Sequence, residues 1–484
     1  MSKKCFAIAV VIFFSLTVNA QHSKILPPEP VYPLPTAAQM QWHEMEMNAF
    51  IHFSTNTFTD KEWGYGDEGE KVFAPTRLDA GQWARTLKAA GFKMMILTCK
   101  HHDGFCLWPS KFTEHSVKNS PYKNGNGDVM REVSEAAKKY GLKFGVYLSP
   151  WDRNRADYGT ASYVAYYRNQ LKELFTNYGP IFEMWFDGAN GGDGYYGGAR
   201  EKRKIDGATY YEWPTTLNLV RSIQPHVIFF SDAGPGVRWV GNESGVAGQT
   251  NWNTISTDTL YAGKPGIEEL LNTGSPNGKQ WIPAEVDVSI RPGWFYHARE
   301  DSLVKTPVQL FNIYLSSVGR GSTLLLNVPP DRRGQFHEND MRSLNGFKEL
   351  LKKELGTNLA KFAKVTASSF RGGASEFSPQ HITDGNKQTY WTTNDDVKTG
   401  SFEIDLGRTK RIKYIMLQEY IQLGQRISLF KVEALKNNEW QQVSEGTTIG
   451  YKRILKLTPV ETNKVRVSIV DSKACPLISN VELY

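Results

Sequence analysis

Tyr178-Gly179-Pro180-Ile181-Phe182-Glu183-Met184-Trp185-Phe186-Asp187-Gly188 is the stretch that decides the fold. Gly179 sits just past the end of an amphipathic run, Tyr163–Tyr178, where helices place a C′ glycine. The apolar run Ile181–Phe186 then has the length of a buried strand, and a carboxylate stands where it stops. The same helix–glycine–strand passage recurs on both sides. Strands are expected at Ala49–Phe53, Met94–Thr98, Phe144–Leu148, Ile181–Phe186, Val227–Ser231, Ile282–Asp287 and Thr323–Val328. Helices are expected at Ala80–Ala90, Val129–Tyr140, Tyr163–Tyr178, Thr215–Ile223 and Val308–Val318, with Gly91 and Gly141 ending the first two. An eighth strand is expected near Val237–Gly245. Repeated βα units in that number point to an α/β fold, a (β/α)8-like (TIM-type) barrel, rather than an open doubly wound sheet. No Gly-rich phosphate loop follows any strand, which argues against a nucleotide site.

Met341–Leu355 reads as a last helix ending at Gly356. Beyond it the period changes from helical to two, as in Phe402-Glu403-Ile404-Asp405-Leu406 and Val465-Arg466-Val467-Ser468-Ile469. That predicts an antiparallel β-sandwich, jelly-roll-like, following the barrel. At the other end Lys3 and Lys4 precede the apolar run Cys5–Val18 and the small-residue end Val18-Asn19-Ala20, the layout of a secretory signal. The run is short for a membrane span, and Cys5 lies at the wrong end of it to be a lipidated cysteine. The expected division is therefore a signal peptide over 1–20, a catalytic barrel over 21–357 and a β-sandwich over 358–484. The mature chain is expected to be exported, periplasmic or secreted, without stable membrane insertion.

The net charge is +7, but acids and bases are interspersed and no face is crowded with Lys or Arg, so nucleic acid is not an expected partner. Three cysteines follow the signal, Cys99, Cys106 and Cys475, an odd count at irregular spacing that is no disulfide framework. Cys99 and Cys106 are near enough in sequence to pair, but buried free thiols are the expected state.

The chemistry gathers at strand ends, where barrels place it. Asp187 ends one strand, and Glu243 lies in the loop Arg238-Trp239-Val240-Gly241-Asn242-Glu243. Glu285 and Asp287 end another strand and are rivals for the second carboxylate. Two carboxyl groups about 5–5.5 Å apart are what a retaining glycosidase needs, one as nucleophile and one as acid then base. His52, His101 and His102 end the first two strands. Neighbours on an extended segment point opposite ways, so His101 and His102 are expected not to share a metal ion, and no metal site is expected here. Neutral histidines suit sugar hydroxyls, since each offers one donor and one acceptor. Glu62, Trp63, Tyr147, Trp151, Trp185 and Trp294 add an acceptor and aromatic surface nearby, so a carbohydrate is the expected ligand.

Residues 35–355 resemble glycoside hydrolase family 29, the α-L-fucosidases. The resemblance is carried by Lys100-His101-His102-Asp103-Gly104-Phe105, Met184-Trp185-Phe186-Asp187-Gly188 and Gly319-Arg320-Gly321 with Leu325-Leu326-Asn327-Val328-Pro329-Pro330. It implies Asp187 as nucleophile. It also implies His52, Glu62, Trp63, His101 and His102 as holders of the fucose hydroxyls, with Tyr147 and Arg238 near the reaction centre. Trp185 and Trp294 are expected to bind the sugar through their aromatic faces. Phe230–Gly245 and Trp281–His297 are similar to the subgroup acting on α-1,3 and α-1,4 linkages, in which the Glu of Gly-Asn-Glu, here Glu243, is the acid/base. A broad-specificity fucosidase using Glu285, and a non-catalytic glycan-binding protein, are the alternatives. Gly191–Ile205 departs from the plant-like pattern as a longer insertion. The C-terminal unit, with Ile382-Thr383-Asp384-Gly385-Asn386 and Thr389-Tyr390-Trp391, resembles discoidin-like, galactose-binding-like modules, which often hold a structural calcium. No cofactor is expected to be required, and the expected partner is a fucosylated oligosaccharide.

Overall fold

The computed structural model describes residues 25–484, so the expected signal segment 1–20 lies outside the described residues. Eight parallel strands close a barrel: β1 Met47–Ile51, β2 Met94–Lys100, β3 Lys143–Leu148, β4 Glu183–Trp185, β5 Ile228–Ser231, β6 Val237–Trp239, β7 Ala284–Ser289 and β8 Thr323–Asn327. Each strand pairs with the next in sequence, and β8 closes onto β1 with Met47 opposite Leu324 and Phe50 opposite Asn327.

The period of two sorts every strand into an inner and an outer row. Phe50, Ile96, Tyr147, Trp185, Phe230, Val237 and Leu325 fill the barrel, joined by Trp42 and Met45 of the helix Ala37–Met45. Their neighbours Ala49, Met95, Val146, Met184, Phe229 and Leu324 face the surrounding helices. Those helices start and stop where local chemistry dictates. Asp79 and Asp128 cap Ala80–Ala90 and Val129–Tyr140, accepting from the N–H groups of Gln82 and Arg131. Gly91 (φ +99°) and Gly141 (φ +65°) end them in the left-handed region. Thr306 and Gln309 form a capping box ahead of Pro307–Ser316.

One βα unit is missing its helix. β5 and β6 are parallel neighbours joined only by residues 232–236, whereas parallel strands normally need a helical crossover. The expected insertion after β4 folds as a small hairpin, Gly192–Gly194 against Glu201–Arg203. It is pinned at the mouth by Trp151 Nε1–H donating to Tyr196 Oη at 2.9 Å.

From Lys364 the chain is antiparallel β. Two long strands, Gly400–Glu419 and Arg453–Ser472, run through the whole module and bend at register breaks such as Asp405/Lys410. They fold over a separate core built on Trp391, Phe402, Ile415, Phe430 and Val467. The module docks on the barrel through buried amides. Gln425 Oε1 accepts from the N–H and side-chain amide of Asn253 at 2.8 and 3.0 Å, and Gln425 Nε2 donates to Asn251 O at 3.0 Å. The N-terminal segment lies across it, Leu26 O and Glu29 O accepting from Arg371 and Arg426, both at 2.7 Å. Asp384, in the loop expected to offer oxygens to a calcium ion, already accepts from Asn386 N–H, the Thr389 hydroxyl and His381. Cys99, Cys106 and Cys475 are buried and unbridged. Among the described residues no helix is long and apolar enough to cross a membrane.

Candidate active site

A pocket of ≈ 140 Å³ opens at the C-terminal ends of the strands. Phe50, Tyr147 and Trp185 form its inner wall, and Trp185 lies stacked on Phe230 with ring centroids 3.9 Å apart. Asp187, Glu243 and Asp287 bring three carboxyl groups to it, His52, His101 and His102 the imidazoles, and Trp63, Trp294 and Ala189 the rim. Trp63 remains 53% exposed, a free indole face at the entrance.

Asp187 is placed by alternation: Glu183 and Trp185 point into the barrel, and Asp187 continues the inward row one step beyond β4. Its Oδ2 accepts from the Tyr147 hydroxyl at 2.8 Å and its Oδ1 from Ala189 N–H at 2.7 Å, which fixes its rotamer. Gly188 leaves room behind it, since a Cβ there would stand 2.0 Å from Asp232 Oδ2.

Two of the three histidines present acceptors to the pocket. Asn327 Nδ2 donates to Trp294 O and Ser289 Oγ, so its Oδ1 faces His52 Nδ1 at 2.9 Å and takes that proton. His52 Nε2 is thereby left with a lone pair. The Ser149 hydroxyl donates to Trp151 O at 2.6 Å and so accepts from His102 Nδ1–H at 2.7 Å, which bares His102 Nε2 in the same way. Burial holds His52 at about 3, and holds His102 at about 4 against the opposing pull of Asp187, so both rings stay neutral. Burial also keeps His101 well below its ordinary range.

The expectation that His101 and His102 point apart does not hold. β2 stops at Lys100 and the chain turns, Gly104 N–H reaching back to His101 O, so both rings face the pocket 4.2 Å apart. Among the described residues no group of three or more His, Cys, Asp or Glu side chains is gathered in a way that could hold a metal ion.

Glu243 hangs over the pocket from the loop after β6, and Trp294 Nε1–H donates to its Oε2 at 3.2 Å. Partial burial lifts its pKa above the ordinary glutamate value, opposed by the Trp294 hydrogen bond and assisted by the charges of Asp187 and Glu62. Trp294 is itself fastened from across the mouth. Glu62 accepts from Trp294 N–H at 2.7 Å and from His297 Nε2 at 2.5 Å, while His297 Nδ1 meets Asp60 at 2.7 Å. Glu62, expected to hold a sugar hydroxyl, is not part of the pocket wall; its carboxylate is turned onto the loop that carries Trp294.

Two candidate residues fall outside the pocket, one by alternation and one by depth. Arg238 lies between the inward Val237 and Trp239 and points out of the barrel, where it is fully buried. Its guanidinium donates to Leu271 O, Ile282 O, Trp252 O and Asn251 Oδ1, a structural strut outside the pocket lining. Arg238→Met should therefore cost about 3–5 kcal/mol, because four acceptors lose their buried donor. Thermal melts should show a clear loss of stability, while kcat/KM per folded molecule stays within about threefold of wild type; a specific collapse of kcat would put Arg238 back at the site. Glu285 does point inward, but one layer too deep. It is sealed beneath Trp185, whose Nε1–H donates to Glu285 Oε1 at 3.1 Å, and it lies close enough to Glu183 that its charge adds to burial in raising the Glu183 pKa. Burial pushes Glu285 up to about 7.

The family model described as alpha-L-fucosidase matches residues 30–354, and that of the F5/8 type C domain matches residues 364–481. Alpha-L-fucosidase 1 of Arabidopsis thaliana is 41% identical over 479 residues, covering 97% of this chain and 91% of its own. A glycoside hydrolase 29 family member from an unknown rumen bacterium superposes with a TM-score of 0.84 at 44% identity, over 95% of this chain and 78% of that one. A Ruminococcus gnavus GH29 fucosidase in complex with fucose superposes with a TM-score of 0.85 at 35% identity, over 95% and 96%.

Proposed function

The chain belongs to the α-L-fucosidase family, glycoside hydrolase family 29, and from that premise we propose a retaining exo-α-L-fucosidase that removes α-1,3- or α-1,4-linked fucose from Lewis-type oligosaccharides. One observation carries the choice of residues: Asp187 and Glu243 face one pocket from two separate strand ends, while Glu285 is sealed under Trp185.

In this reading the fucose enters with its hydroxyls donating to His52 Nε2 and His102 Nε2. Asp187 Oδ2 attacks the anomeric carbon as the glycosidic bond breaks, and the Glu243 carboxyl passes its proton to the leaving oxygen. The product is a β-fucosyl ester on Asp187. Glu243, now a carboxylate, takes a proton from water as that water attacks, and α-fucose leaves. The raised pKa of Glu243 suits the first half of that cycle, and its open loop position leaves space for a second sugar. Trp63, half exposed at the entrance, offers that sugar a face. Export is inferred from residues 3–20 of the sequence.

The test is release of fucose from a Lewis a or x trisaccharide, from 2′-fucosyllactose and from an aryl α-fucoside, each alone. Release from the Lewis sugar with little from 2′-fucosyllactose is the expected result. Comparable release from all three would replace the linkage assignment with the broad-specificity reading, and none from any would favour a binding protein.

A further inference from the structure

Asp287 is the one carboxyl group of the pocket without a part in that cycle. It lies on β7 beside Glu285, in the inward row that alternates with the outward Val286 and Val288. It lines the pocket with only 3% of its surface exposed. Trp239 Nε1–H donates to its Oδ1 at 2.9 Å, and no other side chain among the described residues donates to Oδ2.

Charge counting decides its state. Asp187, Glu243 and Asp287 share the wall, Glu285 and Glu183 lie beneath, and neither Lys nor Arg lines the pocket. The imidazoles that face Asp187 and Asp287 across the cavity are neutral, and the guanidinium of Arg238 points out of the barrel. A third negative charge would have no counter-ion and a low-dielectric wall behind it. Burial, and after it the charge of Glu243, accordingly hold Asp287 well above the usual carboxylate range.

A carboxyl group that keeps its proton is a donor. Because Oδ1 already accepts the Trp239 indole, the proton belongs on Oδ2, the oxygen left free. Three of the pocket's donors are already engaged, which leaves the Trp63 indole at the rim and the one N–H of His101. The Tyr147 hydroxyl is spent on Asp187, the Trp294 indole on Glu243 and the Trp185 indole on Glu285. His52 Nε2 and His102 Nε2 offer lone pairs.

We propose that Asp287 binds the sugar as a neutral carboxylic acid, donating Oδ2–H to a hydroxyl or ring oxygen of the fucoside, and takes no part in protonating the leaving group. This rests on the fucosidase reading above. It makes Asp287 a binding residue of the pocket, and Trp239 the group that fixes which of its oxygens carries the proton.

The discriminating pair is Asp287→Asn and Asp287→Ala, assayed on an aryl α-fucoside and, for the alkaline limb that Glu243 sets, on a natural fucoside that the wild type cleaves, with thermal melts of both. Asn keeps a neutral donor in place, since Trp239 forces its carbonyl onto the Oδ1 position. Asp287→Asn should keep kcat/KM within about threefold, with the alkaline limb of its pH profile unmoved. Asp287→Ala should lose at least about tenfold, the scale of one buried hydrogen bond to substrate. If Asn loses as much as Ala, Asp287 accepts rather than donates and the proposal fails. It also fails if the Asn limb moves to lower pH, because that shift means a negative charge beside Glu243 has been removed. Should the Ala variant not fold, the pH limb of the Asn variant decides alone. Fucose binding by calorimetry ranks the same variants without turnover. Linkage preference is read from the wild type on natural sugars, so a failed α-1,3/1,4 reading leaves this comparison standing. Loss in the Asn variant confined to natural sugars would make Asp287 the acid, overturning both the proposal and the role of Glu243.

Discussion

Asp187→Ala is expected to lower turnover of every fucoside by about 10⁴-fold or more, with little change in thermal stability. The size follows from the step removed. Without the carboxylate no fucosyl ester forms, and what remains is binding by the imidazoles and aromatic walls. Stability should barely move, because the carboxylate is partly exposed, at 22% of its side chain, and its two hydrogen bonds come from the neighbouring Ala189 and from Tyr147 at the cavity surface. The variant also tests the stereochemistry. Azide has room where the carboxylate was, so it should restore turnover on an aryl α-fucoside and yield β-fucosyl azide, a single displacement from the face Asp187 occupied. Wild-type-like turnover in the alanine variant would remove Asp187 from the mechanism. Rescue that yields the α-azide would deny that the attack comes from its side.

How far the sequence reaches is clearest on single strands. Three of the seven strands announce themselves because a helix and its C′ glycine precede each one, and the other four by their apolar runs. β6 is short and follows β5 without a helix, so only the barrel's need for an eighth strand points to it. At the site, Asp187 is legible because it continues a row that begins with Glu183 and Trp185. The same alternation sends Arg238 outward, and its place beside Glu243 in sequence conceals that. Glu285 and Asp287 are two residues apart on one strand, yet one is sealed by Trp185 and the other lines the cavity, a difference of depth that spacing does not encode. Least legible are the partners that set protonation: Asn327 for His52, Ser149 for His102, Trp239 for Asp287 and Trp294 for Glu243. All four come from a different strand end, 47 to 275 residues away, and exist only once the barrel closes.

Glu243→Gln separates chemistry from binding by the leaving group it is asked to expel. A Lewis-type sugar leaves as a poor alkoxide and needs the proton, so its kcat should fall by about 10²–10⁴-fold. An aryl fucoside with an acidic phenol needs little help in that step and should lose far less until hydrolysis of the ester becomes limiting. Azide should then accelerate the Glu243→Ala variant by attacking the fucosyl-enzyme, giving α-fucosyl azide, the opposite product to that from Asp187→Ala. The pH profile carries the sign. Glu243 must hold its proton to act as acid, and burial raises the pH at which it loses it, so wild-type activity on natural sugars should persist above the ordinary glutamate range and fall as pH rises through that value. The glutamine variant should lack that alkaline limb. Equal losses on both substrates, or an alkaline limb that survives the substitution, would assign the proton to another group. Asp287 would then stand next in line, since it shares the pocket wall and already carries a proton.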